Sequence, residues 1–314
     1  MTDKAHLLIL SKDAPAYQKI IQETYPTLET YPCTTLEEAR EYKTKATILL
    51  AEPSLAKDII NDLEHLHWFQ STWAGITPLL DKSLRQDYLL TGVKDVFGPL
   101  VSEYVFCYLL VHERKVLEHL EMQKQARWHH VLPGRLTGKT IGILGTGSIG
   151  SHLAGTAKHF GLKVLGYNLS GKQPEPFDKV YSKKSLHEFA RTLDYLVNTL
   201  PDTPDTQELL DATVFDTMKP ESLFVNVGRG SIVRDDVLLE ALKSGKLAGA
   251  ILDVFTQEPL PQEHPFWKAK NSVVTSHTAA PSFTGDIAGI FLENYSRLIA
   301  GNELLYIIDF EKGY

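Results

Sequence analysis

The stretch Thr140-Ile141-Gly142-Ile143-Leu144 runs directly into Gly145-Thr146-Gly147-Ser148-Ile149-Gly150, and this junction constrains the fold more than any other. The first glycine of the motif permits a sharp turn, the second a close approach of backbone to a pyrophosphate, and the third tight packing of helix on strand. The helical pattern that follows, to Phe160, presents free N–H groups and a positive dipole end at its start. An isolated motif of this kind is a plain glycine turn. Here a strand, the motif, a helix and the next strand at residues 163–167 all fall within about thirty residues, which predicts a dinucleotide site.

That next strand ends at Asn168-Leu169-Ser170-Gly171-Lys172. A carboxylate at this point would bond the ribose hydroxyls and repel a 2′-phosphate. Asn168 carries no charge, and together with Ser170 and Lys172 it suits a phosphorylated ribose, so NADP(H) is favoured over NAD(H). No arginine is present to clamp the phosphate, and a solvated loop lysine is the alternative reading of Lys172.

The remaining pattern is short apolar runs alternating with amphipathic helical stretches, which implies parallel sheets covered on both faces. Strand candidates at residues 5–10, 28–31, 46–51, 66–71 and 88–91 form a first α/β unit. A second set, at 140–144, 163–167, 195–200, 223–227, 248–254 and 273–276, forms another. Between them Gly98-Pro99 opens the longest helical pattern, residues 100–125, long enough to bridge domains or meet a second subunit. The final helical segment, 287–300, has no strands of its own and is expected to pack back on the first unit.

The chain has 314 residues, 43% of them hydrophobic, with 32 basic against 39 acidic side chains and a net charge of −7. Two globular domains fit that length. A negative surface disfavours nucleic acid and anionic membrane as partners, and no apolar run approaches the ~20 residues of a membrane span. The N-terminal Met1-Thr2-Asp3-Lys4-Ala5-His6 leads into too short an apolar stretch for a secretory signal. Cys33 and Cys107 lack metal-type spacing, so no metal site is expected. A cytoplasmic location follows as the expectation.

Three chemically capable residues follow strands of the second unit. Arg229 lies in Asn226-Val227-Gly228-Arg229-Gly230, Glu258 in Thr256-Gln257-Glu258-Pro259, and His277 after Val273-Val274-Thr275-Ser276. Open α/β sheets bind ligands beyond the carboxyl ends of their strands. Singly, each has a bland reading as a surface ion pair, a turn acid or a strand-end cap. Beside a nicotinamide cofactor they make a carboxylate clamp, a proton donor and its orienter.

With those strings, Asn198-Thr199-Leu200-Pro201-Asp202-Thr203-Pro204-Asp205-Thr206, residues 252–259 and Ser276-His277-Thr278-Ala279-Ala280, the chain resembles the D-isomer-specific 2-hydroxyacid dehydrogenases over nearly its whole length, and their glyoxylate/hydroxypyruvate reductase branch in particular. The resemblance implies two doubly wound parallel-sheet domains. One is a discontinuous flavodoxin-like substrate domain, residues 1–97 plus 284–314. The other is an inserted Rossmann cofactor domain, residues 98–283. It implies Arg229, Glu258 and His277 as catalytic residues, with Ser148, Ile149, Leu200, Val227 and Asp253 on the cofactor. The substrate loop falls on Trp73-Ala74-Gly75-Ile76, whose N–H groups would face a carboxylate; many members have Gly-Val-Asp where this chain has Gly75-Ile76-Thr77. Hinge closure of the two domains over the substrate, and a homodimer through the cofactor domains, are also implied. Trp128 matches a tryptophan that in related reductases reaches the neighbouring active site; ordinary packing is its alternative.

The implied reaction is reduction of a small 2-keto acid, glyoxylate- or hydroxypyruvate-like, to the D-2-hydroxy acid. His277 would act as general acid, Glu258 would fix its tautomer, and Arg229 would bridge carboxylate and carbonyl oxygen. A second enzyme reading changes only the hydroxy acid; a phosphorylated one would call for basic residues in 69–77, which has none. A reading from another class is a dinucleotide-sensing regulatory protein of the same fold.

Overall fold

The computed structural model describes residues 5–311; Met1-Thr2-Asp3-Lys4 and residues 312–314, parts of the expected substrate domain, lie outside the described residues. The chain divides into two units, one built from everything up to Val96 together with everything from Ser282 onward, the other spanning Phe97–Pro281.

The first unit holds β1 (His6–Leu10), β2 (Glu29–Cys33), β3 (Ile48–Ala51), β4 (Trp68–Ser71) and β5 (Leu89–Thr91). They form one parallel sheet in the order β2-β1-β3-β4-β5. Leu7, Leu8, Ile9 and Leu10 are all fully buried, as expected of a strand covered on both faces. The closing helix, Thr284–Ile299, joins this unit as the sequence suggests. Its buried residues Ile287, Ala288, Ile290, Phe291, Asn294 and Tyr295 recur at helical spacing. Phe291 stacks on Trp68 at 5.1 Å, and Asn294 donates to Gln70 at 3.1 Å.

The second unit holds β6 (Thr140–Leu144), β7 (Lys163–Tyr167), β8 (Lys179–Tyr181), β9 (Tyr195–Asn198), β10 (Leu223–Asn226), β11 (Gly249–Leu252) and β12 (Ser272–Val274). All pairings are parallel, in the order β12-β11-β10-β9-β6-β7-β8. The strand order reverses between β6 and β9, where doubly wound sheets open a crevice at their carboxyl ends. Both units are therefore doubly wound parallel sheets. β8 is absent from the sequence reading: it is three residues long, half polar and at the sheet edge.

The expected single helix over 100–125 is two helices, Phe97–Glu113 and Val116–Lys124, broken where Lys115 takes φ 54°. The cause lies at Glu113. Its carbonyl accepts from Gly134 N–H at 2.8 Å instead of from the next helical turn. Its carboxylate, 4% exposed, accepts from Lys139 Nζ at 2.5 Å and Tyr195 Oη at 2.7 Å. A buried carboxylate needs such partners, and satisfying them turns the chain off its helical path.

Candidate active site

Beyond the carboxyl ends of β6, β9, β10, β11 and β12 lie Gly145, Leu200, Arg229, Asp253 and His277, so one edge of one sheet gathers nearly all the residues singled out in the second unit. Two side chains in the strand ends organise it. The strands Tyr-Leu-Val-Asn and Leu-Phe-Val-Asn each close on a buried asparagine, and Asn198 donates to Asn226 at 2.9 Å. Asn198 Oδ1 then accepts from Leu200 N–H, and Asn226 Nδ2 donates to the Arg229 carbonyl, 3.0 Å each. The sequence reading quoted both asparagines within its motifs and gave them no role; an amide ending an otherwise apolar strand is the signal that marks them.

The glycine motif meets two different demands. Gly145 has φ 97°, and a Cβ on Gly150 would stand 2.0 Å from the Gly145 carbonyl oxygen. A Cβ on Gly147 would meet nothing within 4 Å. Packing thus dictates the outer two glycines, while the middle one faces open space of the kind a pyrophosphate fills. The helix Ser148–His159 begins there with no side-chain cap, its first turn closed by Ser151 N–H on the Gly147 carbonyl at 2.8 Å. The N–H groups of Ser148, Ile149 and Gly150 precede that bond and are available to phosphate oxygens. The residues present fit a dinucleotide.

At the ribose end Asn168 is bound into its own loop. Its amide is filled by its own loop: Nδ2 donates to Thr146 Oγ1 at 2.7 Å and the Lys172 carbonyl at 2.8 Å, and Oδ1 accepts from Gly171 N–H at 2.6 Å and Ser170 Oγ at 3.2 Å. An amide has two hydrogens and two lone pairs, and all four are engaged within the loop, which Asn168 thus shapes. Ser170 and Lys172 remain exposed on that loop, and Lys172 has no ion-pair partner among the described residues.

His277 and Glu258 come together. His277 Nδ1 lies 2.8 Å from Glu258 Oε2, and the other carboxylate oxygen accepts from Phe255 N–H at 2.9 Å. Held at both oxygens, the carboxylate fixes the proton on Nδ1 and leaves Nε2 for chemistry. The ring is 53% exposed, open to a reactant. Arg229 reaches this turn through its neighbour: a Cβ on Gly230 would stand 2.1 Å from the Phe255 carbonyl carbon, so the two loops are in backbone contact. Arg229 itself is half-buried, with Nη1 donating to the Gly228 carbonyl at 2.6 Å.

Asp253 is 1% exposed and braces the histidine loop. Its carboxylate accepts from Thr275 Oγ1 at 2.5 Å, Thr278 N–H at 2.8 Å and Ala279 N–H at 2.9 Å, and its carbonyl accepts from His277 N–H at 2.8 Å. His277 sits at φ 55°, which costs a non-glycine residue about 1–2 kcal/mol. Bonds to a charged acceptor contribute roughly 1.5–3 kcal/mol each, so the clamp holds the strained residue in place. Thr275 and the residue behind it, Tyr104, were not legible as site residues, since no motif marks them.

The remaining candidates lie elsewhere. Val227 continues β10 with its N–H on the Asn198 carbonyl. In the first unit the loop after β4 carries Trp73, 42% exposed, and Ser71 Oγ ties it by accepting from Trp73 N–H at 3.1 Å and donating to its carbonyl at 2.6 Å. Ala74 is exposed, Gly75 partly exposed and Ile76 buried. Trp128 is fully exposed and buries none of its surface against the other described residues. No helix among the described residues is long and apolar enough to cross a membrane.

A profile described as "D-isomer specific 2-hydroxyacid dehydrogenase, NAD binding domain" matches residues 106–279. Glyoxylate/hydroxypyruvate reductase A of Serratia proteamaculans is 34% identical over 214 residues, 68% of each chain. A D-isomer specific 2-hydroxyacid dehydrogenase family protein from Aeromonas salmonicida superposes with TM-score 0.94 at 43% identity, covering 98% of this chain and 100% of that one. An NADPH-dependent glyoxylate/hydroxypyruvate reductase from Sinorhizobium meliloti, solved with NADP and sulfate, gives 0.87 at 27% identity over 99% and 100%. The chain belongs to the D-isomer specific 2-hydroxyacid dehydrogenase family, a family of oxidoreductases, and its second unit is the NAD(P)-binding Rossmann domain.

Proposed function

We propose that this protein reduces a small 2-keto acid of the glyoxylate or hydroxypyruvate kind to the D-2-hydroxy acid with NADPH. The observation that carries the reading is the 2.8 Å contact between His277 Nδ1 and Glu258, at the same sheet edge as Arg229 and the glycine motif. The names of the Serratia and Sinorhizobium relatives support the substrate class and cofactor. The first unit serves as substrate domain and the second as cofactor domain.

Gly145, Gly147, Ser148, Ile149, Gly150, Leu200, Val227 and Asp253 would hold the cofactor, which would supply the hydride when bound. Arg229 bridges the substrate carboxylate and carbonyl oxygen with its planar fork, polarising the carbonyl. In the first unit, the N–H groups of Ala74, Gly75 and Ile76, with Trp73 beside them, are the candidates for binding a substrate carboxylate. As the oxygen becomes anionic, doubly protonated His277 donates its Nε2 proton to it, while Glu258 keeps the ring in line. Steady-state assays of glyoxylate and hydroxypyruvate with NADPH and NADH test the reading; binding of NADPH without turnover of any short 2-keto acid would favour a dinucleotide sensor instead.

Cofactor choice rests on the loop that Asn168 shapes, with Ser170 and Lys172 toward the 2′-phosphate. Asn168→Asp is expected to shift preference toward NADH. The carboxylate repels the phosphate, and it also faces the Lys172 carbonyl where the amide donated. The ratio of kcat/KM for the two cofactors measures this; a wild type that already prefers NADH refutes the assignment of Ser170 and Lys172.

The homodimer reading rests on the helix Val116–Lys124, which buries none of its residues, and on Leu117, Leu120, Trp128 and Leu132, exposed at 65, 47, 104 and 77%. An apolar set of this size on one excursion suits a second copy of the chain. Replacing Leu117 and Leu120 together by Glu is expected to yield monomers by light scattering; an unchanged mass places the interface elsewhere. Cys33 and Cys107 are both unpaired thiols, which suits the reducing cytoplasm.

A further inference from the structure

The clamp on the histidine loop does not end at Asp253. Tyr104 Oη lies 2.7 Å from Thr275 Oγ1, which in turn lies 2.5 Å from Asp253 Oδ1. A threonine hydroxyl has one hydrogen, and the carboxylate is the stronger acceptor, so Thr275 gives its hydrogen to Asp253. Tyr104 must then donate to Thr275. Burial raises the Tyr104 hydroxyl pKa well above its usual range, so it stays protonated and able to donate. The three groups form a one-way chain from Tyr104 through Thr275 to Asp253, whose backbone carbonyl holds His277 N–H.

We propose that Tyr104 is a positioning residue for His277, acting through Thr275 and Asp253; this rests on the reading of His277 as proton donor. The two ends of the chain differ in structure. Tyr104 belongs to the helix Phe97–Glu113, packed along the helix Ser148–His159 and joined to it by Ser102 and His152 at 2.8 Å. Residues 275–279 have no regular structure, and His277 in their middle holds an unfavourable backbone angle. Tyr104 ties this irregular loop to a rigid helix. Without that hydrogen bond Thr275 is held only within its own loop, by Asp253 and the Leu252 carbonyl, and the angle from which Nε2 meets the substrate is less defined. Proton transfer suffers from such looseness while ground-state binding does not.

Tyr104→Phe and Thr275→Val are each expected to lower kcat about tenfold, with the KM for glyoxylate and the NADPH affinity by fluorescence titration within about twofold of wild type. The double variant should be no slower than the slower single one, because both cut the same chain. Thr275→Ser, which restores the hydroxyl, should recover kcat to within about threefold, and melting temperatures certify that each variant is folded. Multiplicative losses in the double variant, a Ser variant as slow as Val, or unchanged kcat in Tyr104→Phe would overturn the proposal. Should Tyr104→Phe not fold, the Ser-against-Val comparison at Thr275 decides alone. If His277→Ala itself keeps its turnover, the proton-donor reading falls; if it does not but Tyr104→Phe and Thr275→Val do, only the positioning role falls.

Discussion

His277→Ala is expected to lower kcat for keto-acid reduction by about 10²–10⁴-fold while leaving NADPH binding close to wild type. The ring has its Nδ1 committed to Glu258 and Nε2 as the only group of the pair able to deliver a proton outward. The residues assigned to the pyrophosphate sit in a separate loop after β6, so cofactor affinity has no reason to follow. The backbone at this position, φ 55°, favours Asn over Ala, so His277→Asn separates loss of the imidazole from any local rearrangement. Near-wild-type kcat in both variants would remove His277 from the mechanism.

Arg229→Lys is expected to raise KM for the keto acid and lower kcat together, costing roughly ten- to a hundredfold in kcat/KM. Lysine keeps the charge but loses the planar two-point fork. Holding the carboxylate acts equally on ground and transition states and appears in KM, whereas polarising a carbonyl that becomes anionic appears in kcat. The Nη1 bond to the Gly228 carbonyl steadies the guanidinium against its own backbone, and a primary ammonium on a flexible stem cannot keep that contact and a bidentate one at once. A large loss of NADPH affinity with an unchanged keto-acid KM would place Arg229 on the cofactor.

What was legible in the chain follows from which signals are local. β1 and β6 could be read because buried parallel strands are uninterrupted apolar runs, and the Gly145 turn because its geometry requires glycine. The break at Lys115 was not legible: Arg114 and Lys115 are good helix formers, and what stops the helix is Gly134, twenty-one residues past Glu113. The bond between His277 and Glu258 depends on β11 and β12 being neighbours, so the two residues alone did not announce it and the expectation of their pairing came from the family resemblance. Asn168 shows the converse. Its place at the end of β7 was readable, but its amide is used up by a loop whose backbone path no residue type announces.

The inward turn of Glu113 also bears on the length of the chain. Because Gly134 N–H returns to the Glu113 carbonyl at 2.8 Å, residues 114–133 form a loop of the second unit whose two ends meet at one point. The entropy of closing such a loop varies only slowly with its length, so lengthening or trimming the excursion costs the parent unit little. None of the hydrogen-bonded partners of Asp253, Glu258 or His277 lies within it. The segment can thus change in length at little cost to the unit that carries it, while the hydrogen bonds that hold the loops beyond the strand ends stay in place.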